Sequence, residues 1–351
     1  MSGPDGHADV TVRERSGGDG MLDVVGIGSA LVDVLVEATD AELSALGLAK
    51  GSMSLVDLPG AESIHAAVKA SAEFSGGSAA NTMAGVASLG GRAGFVGTVA
   101  DDRLGEVFSR EIRASGVDFE IVGDAAGRQP GVGTGRCLVL VTSDAERTMC
   151  TYLGAASTMA PGDVPLDLVR GSKIVYLEGY LWDLPPAIEA MRRSIAAGHE
   201  AEASVALSLS DSFCVQRHQR EFLDLVHEDI DVLFANADEL VALFGAANFD
   251  EAIASAEETG VLVAATRGAR GSVVTTPHGS VAVEARPVER VVDTTGAGDL
   301  YAAGFLFGLT HGADPAGCAR LGGLCAAEVI GHFGARPETE LATLAQAAEL
   351  L

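Results

Sequence analysis

The sequence predicts an α/β fold in which a mostly parallel central sheet carries helices on both faces and a small β-sheet is inserted into the chain. Three observations lead there. From Leu166 onward, short apolar runs alternate with helix-period segments, the pattern of parallel strands joined by right-handed crossovers. The stretch from Phe119 to Leu153 instead holds β-type runs separated by turn residues, with little helix. Hydrophobic residues make up 48% of the 351 and charged residues 21%, ample material for a buried core and unlike a disordered chain.

Taken in order, residues 22–28 read as a buried strand. Residues 31–36 continue with alternation that sets Asp33 opposite Val32 and Val34. A short amphipathic helix over 40–48, capped by Thr39 or Asp40, precedes a strand at 53–56 and a helix over 60–70. A Gly-Gly turn after Phe74 opens a small-residue helix over about 79–89, followed by a strand at 94–99 and a helix at 105–115. Runs at 119–122, 135–141 and 148–153 form the small antiparallel insert. Strands are then expected at 174–177, 204–209, 232–235 and 261–266, with helices at 188–197, 219–225, 237–244 and 250–256 between them. Two further strands, 272–275 and 280–285, lead to a Gly-rich turn and helices over 297–309 and 315–330.

Composition narrows the function. A formal net charge of −26 and a pI near 4.5 argue against nucleic acid or an anionic membrane as partner, since both require a basic surface. Five cysteines, odd in number and without Cys-x-x-Cys spacing, indicate buried free thiols in a reducing, cytoplasmic setting rather than a disulfide framework or a zinc site. No apolar run approaches the ~18–20 residues of a membrane span. Residues 1–21 are polar and Gly-rich and read as a disordered tail, with the folded domain spanning 22–351. Gly26-x-Gly28 follows a strand, but Leu31 at the third position of a dinucleotide fingerprint is too bulky for close helix–strand packing. No P-loop motif occurs.

The chemistry concentrates at Asp293-Thr294-Thr295-Gly296-Ala297-Gly298-Asp299, which runs into the apolar helix. A turn of tiny residues at a helix N-terminus offers the amides of Gly296, Ala297 and Gly298 to an anion. Asp299, about one turn in, faces the same point and suits proton abstraction from a hydroxyl that attacks a γ-phosphoryl group.

That stretch resembles the C-terminal signature of the ribokinase/PfkB carbohydrate-kinase family. The resemblance covers about residues 22–337 and implies a ribokinase-like three-layer α/β/α fold and ATP-dependent phosphotransfer to a small molecule. It implies Asp299 as base and Gly296, Ala297 and Gly298 as anion hole. Gly76-Gly77-Ser78-Ala79-Ala80-Asn81 resembles the family's N-terminal signature, implying that Gly76 and Gly77 act as hinge and that Asn81 holds substrate hydroxyls. Asp33 falls where the family places an acid gripping two hydroxyls. Asn236-Ala237-Asp238-Glu239 resembles the Asn-x-x-Glu motif, implying phosphate contact at Asn236 and Mg²⁺ held through water by Glu239. Thr266, Gly268 and Gly271 match the nucleotide-side loop, and Arg147 matches a lid-edge arginine of nucleoside kinases that bridges to the γ-phosphate. Asp293 and the Thr295 carbonyl match the family's monovalent-cation loop, which implies K⁺. In family terms the lid is discontinuous, drawn from about 31–37, 52–57 and 119–153, and it closes over substrate to exclude water.

Substrate class stays open among three readings. Local patterns such as Thr134-Gly135-x-Cys137, Arg147-Thr148-Met149 and residues 231–236 resemble the adenosine kinase branch, as does Met83 two residues after Asn81. They imply a ribonucleoside acceptor, adenosine first, with Tyr180, Leu181 and Trp182 against its base. Ser29-Ala30 departs from the Asn-Pro that many adenosine kinases carry there. The other readings are a kinase of ribose, fructose or a keto-deoxy sugar acid, and a non-catalytic binding protein on the same fold. A monomer and a homodimer paired through the lid strands both suit the fold.

Overall fold

The computed structural model describes residues 20–122, 131–144 and 146–351. Its larger sheet runs β14 (Gly279–Val283), β13 (Ser272–Thr276), β12 (Leu262–Thr266), β11 (Val232–Asn236), β10 (Ser204–Ser208), β9 (Ser172–Glu178), β1 (Leu22–Ile27), β5 (Ala93–Gly97) and β6 (Asp118–Ile121). Pairing is parallel from β12 through β6, and only β13 and β14 turn antiparallel at one edge. The chain builds outward from β1 in both directions, so the strand order reverses between β9 and β1. Open α/β sheets bind ligands outside the strands' carboxyl ends at such a switch point.

Side chains of the buried strands alternate between two cores. Val24, Ile174, Tyr176 and Phe234 face α3 (Ser78–Ser88), α10 (Ala297–Thr310) and α11 (Pro315–Val329). Val25, Ile27, Val175 and Leu233 face the layer of α6 (Pro185–Glu200), α7 (Ser212–Glu228), α8 (Ala237–Phe244) and α9 (Phe249–Thr259). The three-layer expectation therefore holds. The remaining helices are α1 (Asp40–Ala45), α2 (Leu58–Ala67), α4 (Arg103–Ala114), α5 (Leu166–Arg170) and α12 (Leu341–Ala347). No helix among the described residues is long and apolar enough to cross a membrane. All five cysteines are free and buried.

The second sheet runs β3 (Met53–Leu55), β8 (Arg147–Tyr152), β7 (Gly135–Val141), β2 (Leu31–Glu37) and β4 (Ala70–Gly76). It corrects the sequence reading in three ways. The sheet is mixed rather than antiparallel, because β2 pairs with β7, and β3 with β8, in parallel. Residues 118–121 do not belong to the lid: they return through α4 to lie parallel to β5 at the edge of the large sheet. And residues 70–76 form a strand where none was expected, the helix expected over 60–70 ending at Ala67. Ala-Ser-Ala-Glu carries little intrinsic β-preference, so this edge strand is set by its ladder with β2. The expected helix at 219–225 is the second half of α7, which leaves helical geometry at His218. The expected tail lies outside the described residues except for Gly20 and Met21, as do lid residues 123–130 and Ala145.

Candidate active site

The loop before α10 is clamped by its own acid. Asp293, buried, accepts from the Thr295 amide at 2.6 Å through Oδ1 and from the Gly334 amide at 2.9 Å through Oδ2. Gly296 is the N-cap with φ +76°, and a Cβ there would come within 2.7 Å of the Ala335 Cβ, so the position takes only glycine. No side chain caps α10, and space is open beside Gly298. Of the expected anion-hole residues Gly296, Ala297 and Gly298, the Ala297 amide donates to the Thr294 carbonyl at 3.3 Å, and the first-turn amides of Gly298 and Asp299 stand at the positive end of a fourteen-residue helix, a geometry that receives an anion.

Asp299 faces the N-terminus of α3. Its Oδ1 accepts from Ser78 Oγ at 2.7 Å and its Oδ2 from Asn81 Nδ2 at 3.0 Å. Burial raises its pKa, opposed by those two hydrogen bonds and the Arg336 charge. Asn81 is 4% exposed, and its Oδ1 finds no partner among the described residues. A buried amide oxygen left without a donor is suited to an incoming hydroxyl.

At the switch point stands Glu178, the last residue of β9. It accepts from the amides of Ser29 at 2.7 Å and Ala79 at 2.9 Å, tying the end of β1 to the start of α3. Burial pushes its pKa up to about 7 despite those amides, and the nearby Asp299 charge adds to the rise. Sequence reading missed it; an acid ending the apolar run 174–177 was the available signal.

Across the cleft Asp33 projects from β2. Gly76 lies so close that a Cβ there would fall 2.3 Å from Asp33 Oδ2, and a Cβ on Gly77, with φ +96°, would fall 2.1 Å from the Ser29 carbonyl oxygen. Both glycines are therefore demanded by close approach. Burial raises Asp33 to about 7; the charge of Asp299 adds to this, and those of Arg336 and Arg147 oppose it. Arg147 is no surface residue: it reaches from β8 to an ion pair, without hydrogen-bond alignment, with Asp293 Oδ1. Arg336, also missed, extends from the loop after α11 toward Asp33 and Asp299.

On the far side of the cleft, Asn236 and Thr266 are register neighbours at the carboxyl ends of β11 and β12. Asn236 is the N-cap of α8 rather than a residue inside the helix, and with Glu239 it forms a reciprocal capping box. The Glu239 amide donates to Asn236 Oδ1 at 2.9 Å, and the Asn236 amide donates to Glu239 Oε2 at 2.9 Å. Gly268 and Gly271 shape the β12–β13 turn with φ of +57° and +78°, and a Cβ on Gly271 would fall 2.0 Å from the Val283 carbonyl oxygen. Tyr301 Oη of α10 donates to Ser272 Oγ at 2.8 Å, coupling the helix of Asp299 to this turn.

The chain's residues answer differently for the two expected cations. Burial first, then the charges of Asp211, Asp238 and Asp299, raises Glu239 to about 7. The Asn236 amide opposes that rise, and both Glu239 oxygens already accept from Asn236, so this acidic cluster fits a divalent ion approached through water rather than bound directly. The Asp293 carboxylate, in contrast, already meets two amides and the Arg147 guanidinium, and this does not fit a K⁺ ion held there.

Residues 180–182 correct another expectation. Leu181 and Trp182 are wholly buried in the second core, where Trp182 packs on Phe222 with ring centroids 5.7 Å apart. Neither can stack on a substrate base. Tyr180 is half-buried and donates its hydroxyl to the Ser210 carbonyl at 3.3 Å. Its neighbourhood includes Asp211, Asp299 and Glu239, so it does border the cleft.

Comparison with known proteins agrees with this layout. The pattern of the pfkB family carbohydrate kinases matches residues 42–341. The fold superposes on the crystal structure of adenosine kinase from Sinorhizobium meliloti with a TM-score of 0.87 and 46% identity, covering 93% of this chain and 99% of that one. An ATP-dependent ribose-1-phosphate kinase of Halopiger xanaduensis is 31% identical over 278 residues, 78% of this chain and 86% of its own length. Adenosine kinase of Saccharomyces cerevisiae is 28% identical over 318 residues, 83% of this chain and 89% of its own. With that match across most of the chain, and a ribokinase-like α/β fold beneath it, the protein belongs to the pfkB family of carbohydrate kinases.

Proposed function

We propose that this kinase transfers the γ-phosphoryl group of ATP to a primary hydroxyl of a ribonucleoside, adenosine first among them. The observation that carries the phosphotransfer is the placement of Asp299: one turn inside an uncapped helix N-terminus, held by Ser78 and Asn81, and facing Asp33 across the cleft. Asp33 and the idle Oδ1 of Asn81 accept from acceptor hydroxyls and fix one of them toward Asp299. As that hydroxyl's oxygen bonds to the γ-phosphorus, its proton passes to Asp299. The bond from the γ-phosphorus to the bridging oxygen breaks, and its electron pair leaves on ADP. The turn amides of Gly296 and Gly298, with that of Asp299, take the charge of the transferring group. Magnesium, when bound through water near Glu239, supplies positive charge to the triphosphate.

The nucleoside assignment is supported by the 46% identity to the Sinorhizobium meliloti adenosine kinase over nearly the whole chain. The burial of Leu181 and Trp182 weakens the stacking that was expected and keeps a second reading in play: a kinase of a free sugar or sugar phosphate, as the Halopiger relative's name describes for that protein.

The test is ADP release from Mg·ATP with adenosine, inosine, ribose, ribose 1-phosphate, fructose and 2-keto-3-deoxygluconate side by side. Turnover on adenosine without turnover on sugars is the expected result, and turnover confined to a sugar overturns the nucleoside assignment. Asp299→Asn should lower kcat by ~10²–10⁴-fold with ATP binding retained. A variant keeping more than about a tenth of the rate contradicts the base role.

A further inference from the structure

Arg336 belongs to none of the motifs read from the sequence, yet it joins three parts of the site. Its Nε donates to the Ser75 carbonyl oxygen at 3.2 Å, while the Ser75 amide donates to Glu111 Oε2 of α4 at 2.7 Å. Ser75 lies on β4, the edge strand of the lid, one residue before the Gly76–Gly77 pair. Two side chains of the main body thus hold both backbone groups of the residue that enters the hinge. The remaining guanidinium nitrogens, Nη1 and Nη2, are buried without a partner. Asp33 and Asp299 both lie within reach of the guanidinium charge but neither hydrogen-bonds to it.

A buried guanidinium with idle N–H groups is costly unless another arrangement of the molecule uses them. Asp33, the carboxylate whose charge acts most strongly on the guanidinium, is still short of donors; it sits on the lid, pressed against Gly76. Asp299 already has Ser78 and Asn81. Lid movement about Gly76–Gly77 carries Asp33 relative to Arg336, and a planar fork is the group that receives a carboxylate with two parallel bonds.

We propose that Arg336 is a positioning residue of the acceptor site: it fixes the hinge through Ser75 and gives its free Nη groups to Asp33 when an acceptor binds and the lid closes. Acceptor binding then depends on Arg336 and ATP binding does not. The inference rests on the reading of Asp33 as the carboxylate that grips the acceptor.

Steady-state kinetics of Arg336→Gln, with whichever compound of the panel turns over, should show the acceptor KM raised at least tenfold and the ATP KM within twofold of wild type. Arg336→Lys, which keeps the charge but not the fork, should recover part of the loss. Added guanidinium should lower the acceptor KM of Arg336→Ala. An unchanged acceptor KM, or an equal rise in both KM values, overturns the proposal. A readout without any acceptor is amide hydrogen exchange over residues 72–77, expected at least tenfold faster in Arg336→Gln with the large sheet unchanged; equal exchange also overturns it. Failure of the base reading is visible separately, as an active Asp299→Asn beside an intact KM split for Arg336→Gln.

Discussion

At Asp299 burial and hydrogen bonding compete, and burial wins. Taking the carboxylate out of water favours its neutral form, while Ser78, Asn81 and the Arg336 charge favour the ionised one, and the balance leaves its pKa raised. Asp33 is raised to about 7, with Asp299, Arg147, Arg336 and Cys137 as the titratable or charged groups around it. Both carboxylates must be ionised to accept hydroxyl protons or hydrogen bonds. A raised pKa enlarges the inactive neutral fraction at acid pH, so activity is lost as pH falls through about 7. The expected profile is an acceptor kcat/KM that levels off above that pH and falls about tenfold or more per unit below it. A flat profile between pH 5.5 and 8 contradicts it. Glu178 titrates in the same range, so Asp33→Asn, which should remove one limb and raise acceptor KM, identifies the group.

Among the elements, α10 carries the site and owes its position to close backbone packing. Residues 300–309 are buried all round, which a helix tolerates only in the interior of a layered domain. Gly304 faces the backbone of α11, where a Cβ would fall 2.6 Å from the Leu321 carbonyl carbon, and Gly85 of α3 meets Ala303 and Leu300 as closely. Gly304→Val therefore overpacks a helix interface with no side chain able to give way. It should cost about 1–3 kcal/mol, lower Tm by several degrees and reduce kcat by displacing the first turn. Thermal unfolding unchanged by that substitution would contradict the packing account. The Asn236–Glu239 capping box shows the opposite case, a motif whose family role is catalytic while its visible role is to start a helix.

The whole molecule is a strongly acidic body, while its family's kinases use an anionic nucleotide; against a net −26, Arg147 and the α10 N-terminus supply positive charge locally. Its smaller sheet presents apolar side chains on the face that also bears Asp33. Met53 is 40% exposed, Leu55 56% and Phe74 45%, and the strand registers put all three on that face. Closure over an acceptor buries such a face, as does lid-to-lid pairing of two copies. Binding of acceptor with a non-hydrolysable ATP analogue should slow peroxide oxidation of Met53 at least threefold. An unchanged rate means that this face stays open to solvent, and sedimentation velocity shows whether a second copy already covers it.

The layer order, the parallel core and the residues of the acid–glycine turn are legible in local pattern, because apolar periodicity and tiny residues at a helix start are local properties that few tertiary contexts override. Motifs in the sequence also placed Asp33, Asn81 and Arg147 at the cleft. Which long-range partners these groups meet was settled by folding. Strand 118–121 went to the large sheet and 70–76 became a strand because ladder partners set sheet membership, and those partners lie far away in sequence. Trp182 turned inward because burying a large aromatic against Phe222 outweighs exposing it in a cleft. Glu178 and Arg336 became site residues only when β9 and the loop after α11 were folded against α3 and the hinge. No local pattern encodes a contact between residues 75 and 336.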